Sequence, residues 1–312
     1  MKAFKLLVII CLFSAWGCIQ DPDYDCTPVT RENMTIHFSL KNDANTEMLL
    51  TVVDNVTLFL YDANGKQALR KTVSKGEMNQ FLGVRLELSP ATYTIVAWAN
   101  HTNTYSRFLT NDDNSYLDQV NNYLLNAVTA NGVVDNGDPL YYAPKTKGVP
   151  LTVTVPAEGK VEVTAQFRHA HIKIDVTVEG YDHISTRAVD PLTVELTNIT
   201  SRYSFGMGAH GDRVSYIRPA PQTNAQDKIF NTLFNVPVFD KNTTTHVRVT
   251  DSAGELIIDP ISIKELLGDK VNPEEIQYLP IRIVFSEKNG LLEATVVVDL
   301  PEWSENPVKP NV

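Results

Sequence analysis

Two histidines, His169 and His171, stand two residues apart. In an extended chain both rings point to one face, which is the geometry of a metal-binding pair. A zinc site needs a third ligand, and no spacing marks one, so the competing reading is two exposed or rim histidines on a strand. The segment Gly206-Met207-Gly208-Ala209-His210-Gly211 is a literal G-x-G-x-x-G string. A dinucleotide site needs a strand before that string and a helix after it, because the helix N-terminus holds the pyrophosphate. Here Asp212 to Pro219 alternates in polarity and ends in proline, so a glycine-rich loop is expected. Asp135-Asn136-Gly137-Asp138 and Asn111-Asp112-Asp113-Asn114 offer oxygen ligands but lack the twelve-residue calcium pattern with its closing Glu. They read as turns. There is no G-x-S-x-G and no H-E-x-x-H. The sequence therefore points to no catalytic, cofactor-binding or metal-binding residue and to a binding or structural protein.

Cysteine chemistry is different. The chain opens with Lys2 and Lys5, continues through the apolar block Leu6 to Phe13 and closes on Ser14-Ala15-Trp16-Gly17-Cys18. A charged start and an apolar middle too short to span a bilayer make a secretory signal. The cysteine directly after it resembles a bacterial lipoprotein signal, in which Cys18 is acylated and becomes the first mature residue. Ala15 stands where such signals usually carry Leu, Val or Ile, and cleavage without lipidation or a retained anchor is the alternative. Cys11 leaves with the signal and Cys18 is spent on lipid, so Cys26 is the remaining thiol, idle or available to another chain. No intrachain disulfide framework is expected.

The 312 residues carry a formal charge of -10. Residues 1 to 17 hold Lys2 and Lys5 and no acids, so the chain from Cys18 onward is more acidic still. Nucleic acid and acidic membrane surfaces need a positive field and are poor partners.

The elements that must position these residues are mostly strands. Residues 18–31 are acidic, broken by Pro22 and Pro28, and read as a tether able to reach ~50 Å. Met34, Ile36, Phe38 and Leu40 then alternate on one strand face. Val53 to Tyr61 and Lys66 to Val73 should form a hairpin about Asp62-Ala63-Asn64-Gly65. Gly83 to Leu88 and Tyr93 to Ala99 form the next pair, the latter apolar on both faces. Residues 100 to 139 read as a long excursion holding one helix, capped at Asn114 or Ser115 with Leu117, Val120, Leu124, Ala127 and Val128 at helical spacing. Strands come next at Val149 to Val155, Val161 to Phe167 and His169 to Val178. The second half repeats the style at Leu192 to Ile199, Phe234 to Phe239, Thr245 to Thr250, Glu255 to Asp259, Ile281 to Ser286 and Leu292 to Leu300. Ser252-Ala253-Gly254 and Lys288-Asn289-Gly290 are the turns of its last hairpins; Asp251-Ser252-Ala253 also resembles a bacterial O-glycosylation acceptor. Short helices are expected at Ser262 to Gly268 and from Asn272-Pro273. Many short strands at regular spacing argue for a mainly β chain of two β-sandwiches in tandem, 32–167 and 168–312.

Several stretches resemble one family. Cys18 to Asp21 with Asp25-Cys26, Val56 to Gly65, Leu88 to Asn100, His171 to Ile174 and the terminal Asp299-Leu300-Pro301-Glu302-Trp303 are similar, in order and spacing, to the anchor subunits of fimbrillin-A-type fimbriae. Ala91 departs from that pattern, which usually has glycine after the proline. The resemblance implies two transthyretin-like β-sandwich domains, a lipid on Cys18, placement at the outer membrane and on the cell surface, and fimbrial shaft or accessory subunits as partners. Asp21, Asp23 and Asp25 are similar to the acidic signals that send such lipoproteins outward. Such a subunit would fix the base of a fimbrium and limit its length. In related shaft subunits a C-terminal strand fills a neighbour's groove; the nine residues after Trp303, with Pro307 and Pro310, are too short and broken to donate one. The alternatives are a surface adhesin that binds glycan or host protein through loops at 100 to 140, and a lipid-anchored hydrolase.

Overall fold

The structure is a computed structural model. It describes residues 32–42, 44–102, 104–108, 125–127, 130–146, 148–181, 191–204, 206–224, 229–239, 242–268, 271–272, 275–289 and 291–298. The chain is mainly β, as expected, and its strands sort into four sheets around two large cores.

The first core lies between a three-stranded and a seven-stranded sheet. Met34–Ser39 occupies the middle of the smaller one, parallel to Val161–Gln166 and antiparallel to Gly83–Leu86. Its alternation buries Met34, Ile36 and Phe38, and Leu40 continues the same face. Against them packs the larger sheet, ordered Pro144–Thr146, Val149–Val155, Ala91–Ala99, Asn55–Tyr61 and Gln67–Ser74, with Tyr141–Tyr142 paired to the end of Ala91–Ala99 and Arg168–His169 paired to it in turn. The expected hairpin of Asn55–Tyr61 and Gln67–Ser74 is present. The Asp62 carboxylate accepts the Asn64 and Lys66 N–H groups at 2.8 and 2.9 Å, and Gly65 takes the φ of 76° that closes the turn.

The second core lies between a five-stranded sheet, ordered Gln222–Asn224, Ile229–Pro237, His171–Glu179, Tyr278–Lys288 and Leu291–Val298, and another of seven strands. The latter runs Ile261–Ser262, His246–Thr250, Leu192–Tyr203, Ala209–Ala220 and Val133–Val134, with Ser106–Phe108 and Leu125–Ala127 attached at its side. Ile172, Ile174 and Val176 meet Val194, Leu196 and Tyr216 across it. Ser262 caps the helix Ile263–Leu267 by accepting the Glu265 N–H, and Gly268 ends it at φ 64°, as the sequence pattern predicts.

Three expectations are corrected. Gly83–Leu86 and Ala91–Ala99 do not pair; they lie in different sheets, because the chain turns a corner at Ser89-Pro90 that the Tyr93 hydroxyl fixes by donating to the Ser89 carbonyl at 2.9 Å. Ala91 has no positive φ, so that corner needs no glycine there. Of the helix expected after Asn114, residues 109–124 lie outside the described residues, but Ala127 sits in the strand Leu125–Ala127, whose backbone finds partners on both sides. Residues Glu255 to Asp259 form a single bridge, Leu256 to Thr250, rather than a strand. Two short helices, Leu49–Val52 and Lys75–Gln80, were not expected, although Ser74 and Glu77 form a capping box that announces the second. Of the helix expected at Asn272-Pro273, Pro273 and Glu274 lie outside the described residues, while Asn272 donates to the Glu275 carboxylate at 3.1 Å.

The Ala91–Ala99 strand ends on Asn100, which is buried and left-handed at φ 62°. Its side chain accepts the Asp54 N–H at 2.8 Å and donates to the Val52 and Pro139 carbonyls at 2.7 and 3.1 Å. Asn100→Ala removes all three bonds from a buried place and adds backbone strain, and should cost about 3 kcal/mol in urea unfolding. Asn100→Gly relieves only the strain and should recover about 1 kcal/mol of that.

Candidate functional site

Ala91–Ala99 is apolar on both faces, so its sheet needs two covers. Tyr93, Ile95, Ala97 and Ala99 face the first core. On the other face Val96 and Trp98 join Phe59, Tyr61 and, from the strand paired alongside, Tyr142, and this surface is covered by Phe108, Leu140, Ala170 and Tyr203, with Met207 packed against them. Trp98 stacks on Tyr142 at 5.7 Å, Phe59 meets Phe108 edge-on at 5.0 Å, and the Arg70 guanidinium lies over both phenyl rings at 5.3 and 5.9 Å. The covering residues come from both halves of the chain, and this junction is where most of the singled-out residues meet.

The described pieces of the excursion after Asn100 act as a strap. Ser106–Phe108 pairs with Leu125–Ala127, which pairs with Arg202 and Tyr203, and Val133–Val134 runs parallel to Ser215 and Tyr216. First-half residues thereby extend a second-half sheet. The Asp135-Asn136-Gly137-Asp138 turn fastens the strap. Asp138 is 2 % exposed, and its two carboxylate oxygens accept from the Thr102 and Ser106 hydroxyls. Asn136 Oδ1 accepts the Asn235 N–H at 2.8 Å and the Gly137 N–H at 2.9 Å. A Cβ on Gly137 would stand 2.2 Å from the Asn235 carbonyl oxygen, so only glycine permits this approach. The Asn136 and Asp138 oxygens that suggested an ion are spent on docking.

Gly206, Met207 and Gly208 of the G-x-G-x-x-G string lie at the tip of the hairpin joining Leu192–Tyr203 to Ala209–Ala220, and the rest of the string opens that second strand and not a helix. The Gly208 N–H donates to Ser204 Oγ at 3.0 Å, and Met207 takes a φ of 65° to present its side chain to the aromatic cover. Gly206 abuts the first half so closely that a Cβ would lie 2.8 Å from the Gly148 Cα. Its glycines serve chain packing.

His169 and His171 are not the exposed or rim pair expected. His171 is 5 % exposed and His169 is half-buried, with ring centroids 5.4 Å apart. They flank Ala170, where the chain passes from Arg168–His169, paired with Tyr141–Tyr142, into His171–Glu179 of the five-stranded sheet. The Tyr141 ring lies 4.7 Å from His169 and 5.4 Å from His171. The Leu140 carbonyl accepts the Ala170 N–H at 2.9 Å and His171 Nδ1 at 2.8 Å, which places the His171 proton on Nδ1. Burial pushes the Tyr141 phenol up to about 12. Among the described residues no three His, Cys, Asp or Glu side chains gather as metal ligands. Ser252 is exposed in the turn that Asp251 closes by accepting the Ala253 and Glu255 N–H groups. Cys18, Cys26 and the Asn111 to Asn114 segment lie outside the described residues.

Gly137→Ala should unseat the strap and lower stability by about 2–3 kcal/mol. Gly76→Ala, within the Lys75–Gln80 helix and meeting nothing nearer than Ser74 Oγ at 3.9 Å, should instead raise it by about 0.5–1 kcal/mol. Chemical denaturation of the two variants beside the parent chain checks both signs.

Comparison with known proteins places this geometry. The profile of the fimbrillin-A associated anchor proteins Mfa1 and Mfa2 matches residues 22–307. No curated protein matches the chain. Among solved structures, the fimbrial anchor protein Mfa2 from Porphyromonas gingivalis aligns at 15% identity over 86% of this chain and 97% of its own, with a TM-score of 0.64. A candidate polysaccharide-binding protein from Bacteroides thetaiotaomicron aligns at 17% identity over 86% and 95%, with a TM-score of 0.67. A candidate adhesin from Bacteroides ovatus aligns at 15% identity over 86% and 93%, with a TM-score of 0.68. At these identities the likeness is one of fold.

Proposed function

The chain belongs to the fimbrillin-A associated anchor proteins, and from that membership we propose that it is the lipid-anchored subunit that fixes the base of a fimbrium to the outer membrane and limits its length, without catalysis. The observation that carries this reading is the family match over residues 22–307, which begins four residues after a cysteine placed as a lipoprotein signal would place it. Acylation of Cys18 supplies the attachment: one acyl chain binds a membrane only marginally and reversibly, so a multiply acylated cysteine is needed to hold a fibre. Residues 18–31 are the tether, and sandwiches at 32–167 and 168–312 connect membrane to fibre. The non-catalytic role follows from the family's part in fimbriae. The partners are fimbrial shaft or accessory subunits, reached at the surface.

A second reading, a surface adhesin for glycan or host protein, is favoured by the candidate adhesin and polysaccharide-binding relatives in fold. Pull-down of the chain from the native envelope separates the two. The anchor retains a fimbrial shaft subunit, whereas an adhesin comes down without one and binds immobilised glycan. Cys18→Ala should move the chain from the membrane fraction to the soluble one and release fimbriae into the medium. Undiminished membrane retention of that variant would sink the lipid attachment.

A further inference from the structure

At the junction the chain crosses from one half to the other at Ala170, which is flanked by the half-buried His169 and the buried His171. Ala170 is 1 % exposed; its N–H is held by the Leu140 carbonyl and its own carbonyl accepts the Val238 N–H at 3.2 Å. On one side His169 packs against Tyr141, and its Nδ1 is buried with no hydrogen-bond partner among the described residues. On the other, His171 spends its Nδ1 proton on Leu140. A second proton on either ring would place a cation 5.4 Å from its neighbour ring beside the Tyr141 ring, and at His169 on a buried nitrogen.

The groups facing the pair offer such a cation no relief. Tyr141 contributes a phenol from the paired strand, Lys173 a like charge from the same strand as His171, and Ile229–Pro237 presents Pro237 opposite His171. Among the described residues no carboxylate acts on either ring. We infer that His169 and His171 form a proton-operated latch, closed while both rings are neutral and released by acid, which loosens the Tyr141–Tyr142 and Arg168–His169 pairing while both sheet cores stay folded. This does not depend on the fimbrial reading.

The sign follows from linkage. Burial, joined at His169 by the charge of His171 and at His171 by Lys173, lowers the two pKa values from the ordinary 6.5 to about 3 and about 4, against a smaller opposing effect of the Leu140 bond. An opened junction returns the rings to water and to the ordinary value. Between those limits opening takes up one proton per ring. Closure is complete above about pH 6.5 and is lost as the pH falls towards 4, with the opening constant rising about tenfold per unit for each ring and about a hundredfold for the pair.

Hydrogen exchange of the purified chain between pH 7.5 and 4.5, corrected for the intrinsic pH dependence of exchange, reads this directly. Peptides spanning 138–143 and 165–173 should lose protection with a slope approaching two protons, while peptides from 192–200 and 279–285 stay protected. His101 also titrates near 4, lowered by burial and Arg70 and raised by Asp138 and the Ser106 backbone, so the 100–108 peptide is followed separately. His169→Phe should reduce the junction slope to about one proton, and His171→Gln, which keeps a donor for Leu140, should do the same. An unchanged slope in both variants overturns the latch. So does a parent chain whose junction peptides show no acid-dependent opening, or lose protection only together with the cores.

Discussion

A sheet apolar on both faces cannot stand with one cover, and that demand shapes the junction. Ala91–Ala99 buries Ile95 and Ala97 on one side and Val96 and Trp98 on the other. Burying a large aromatic or aliphatic side chain is worth ~1.5–3 kcal/mol, so leaving Trp98, Phe59, Tyr61 and Val96 bare would forfeit a share of stability comparable to that of a whole domain. The chain meets the demand with pieces drawn from far apart: Phe108 on the strap, Ala170 at the crossover and Tyr203 and Met207 at a hairpin tip. Several polar groups in the cover find partners there, at Asn100, Asn136 and Asp138, while Trp98 Nε1 and His169 Nδ1 are buried without one among the described residues.

Alternation made the strands legible. Met34 to Leu40, Val149 to Val155 and His171 to Val178 could be placed because their period-2 pattern is set by the nearby core. The double-faced burial of Ala91–Ala99 was visible in its composition. What covers the outer face was not, because a three-residue strand such as Ser106–Phe108 carries no periodicity and gains its place only from distant partners. The pairing of Gly83–Leu86 was missed for a related reason: proximity in sequence favours a hairpin, and only the Ser89-Pro90 corner says that the chain changes sheet. At the junction, spacing identified His169 and His171 as a pair but could not tell an exposed face from a buried one, since Tyr141 approaches from about thirty residues upstream. Gly137 offered a usable signal, being a glycine among polar turn residues, although its partner Asn235 lay beyond local reasoning.

Family membership and a shared fold meet at this junction in a specific way. The relatives in fold are only 15–17% identical, so what this chain does with its cover is written in its own side chains. Aromatic stacking, one cation over two rings and a carboxylate held by two hydroxyls give the cover directionality that apolar contact alone lacks.

The strand Met34–Ser39 is the first of the described strands, and it is bonded on both sides, in parallel to Val161–Gln166 and antiparallel to Gly83–Leu86. Traction arriving through residue 33 therefore meets two hydrogen-bond ladders at once, one of them six residues in register. A strand at the rim could be peeled away bond by bond. This one must shed both neighbours and withdraw Ile36 and Phe38 from a closed core before it yields, so tension that enters the first half from its N-terminal side is shared between two ladders and the core behind them.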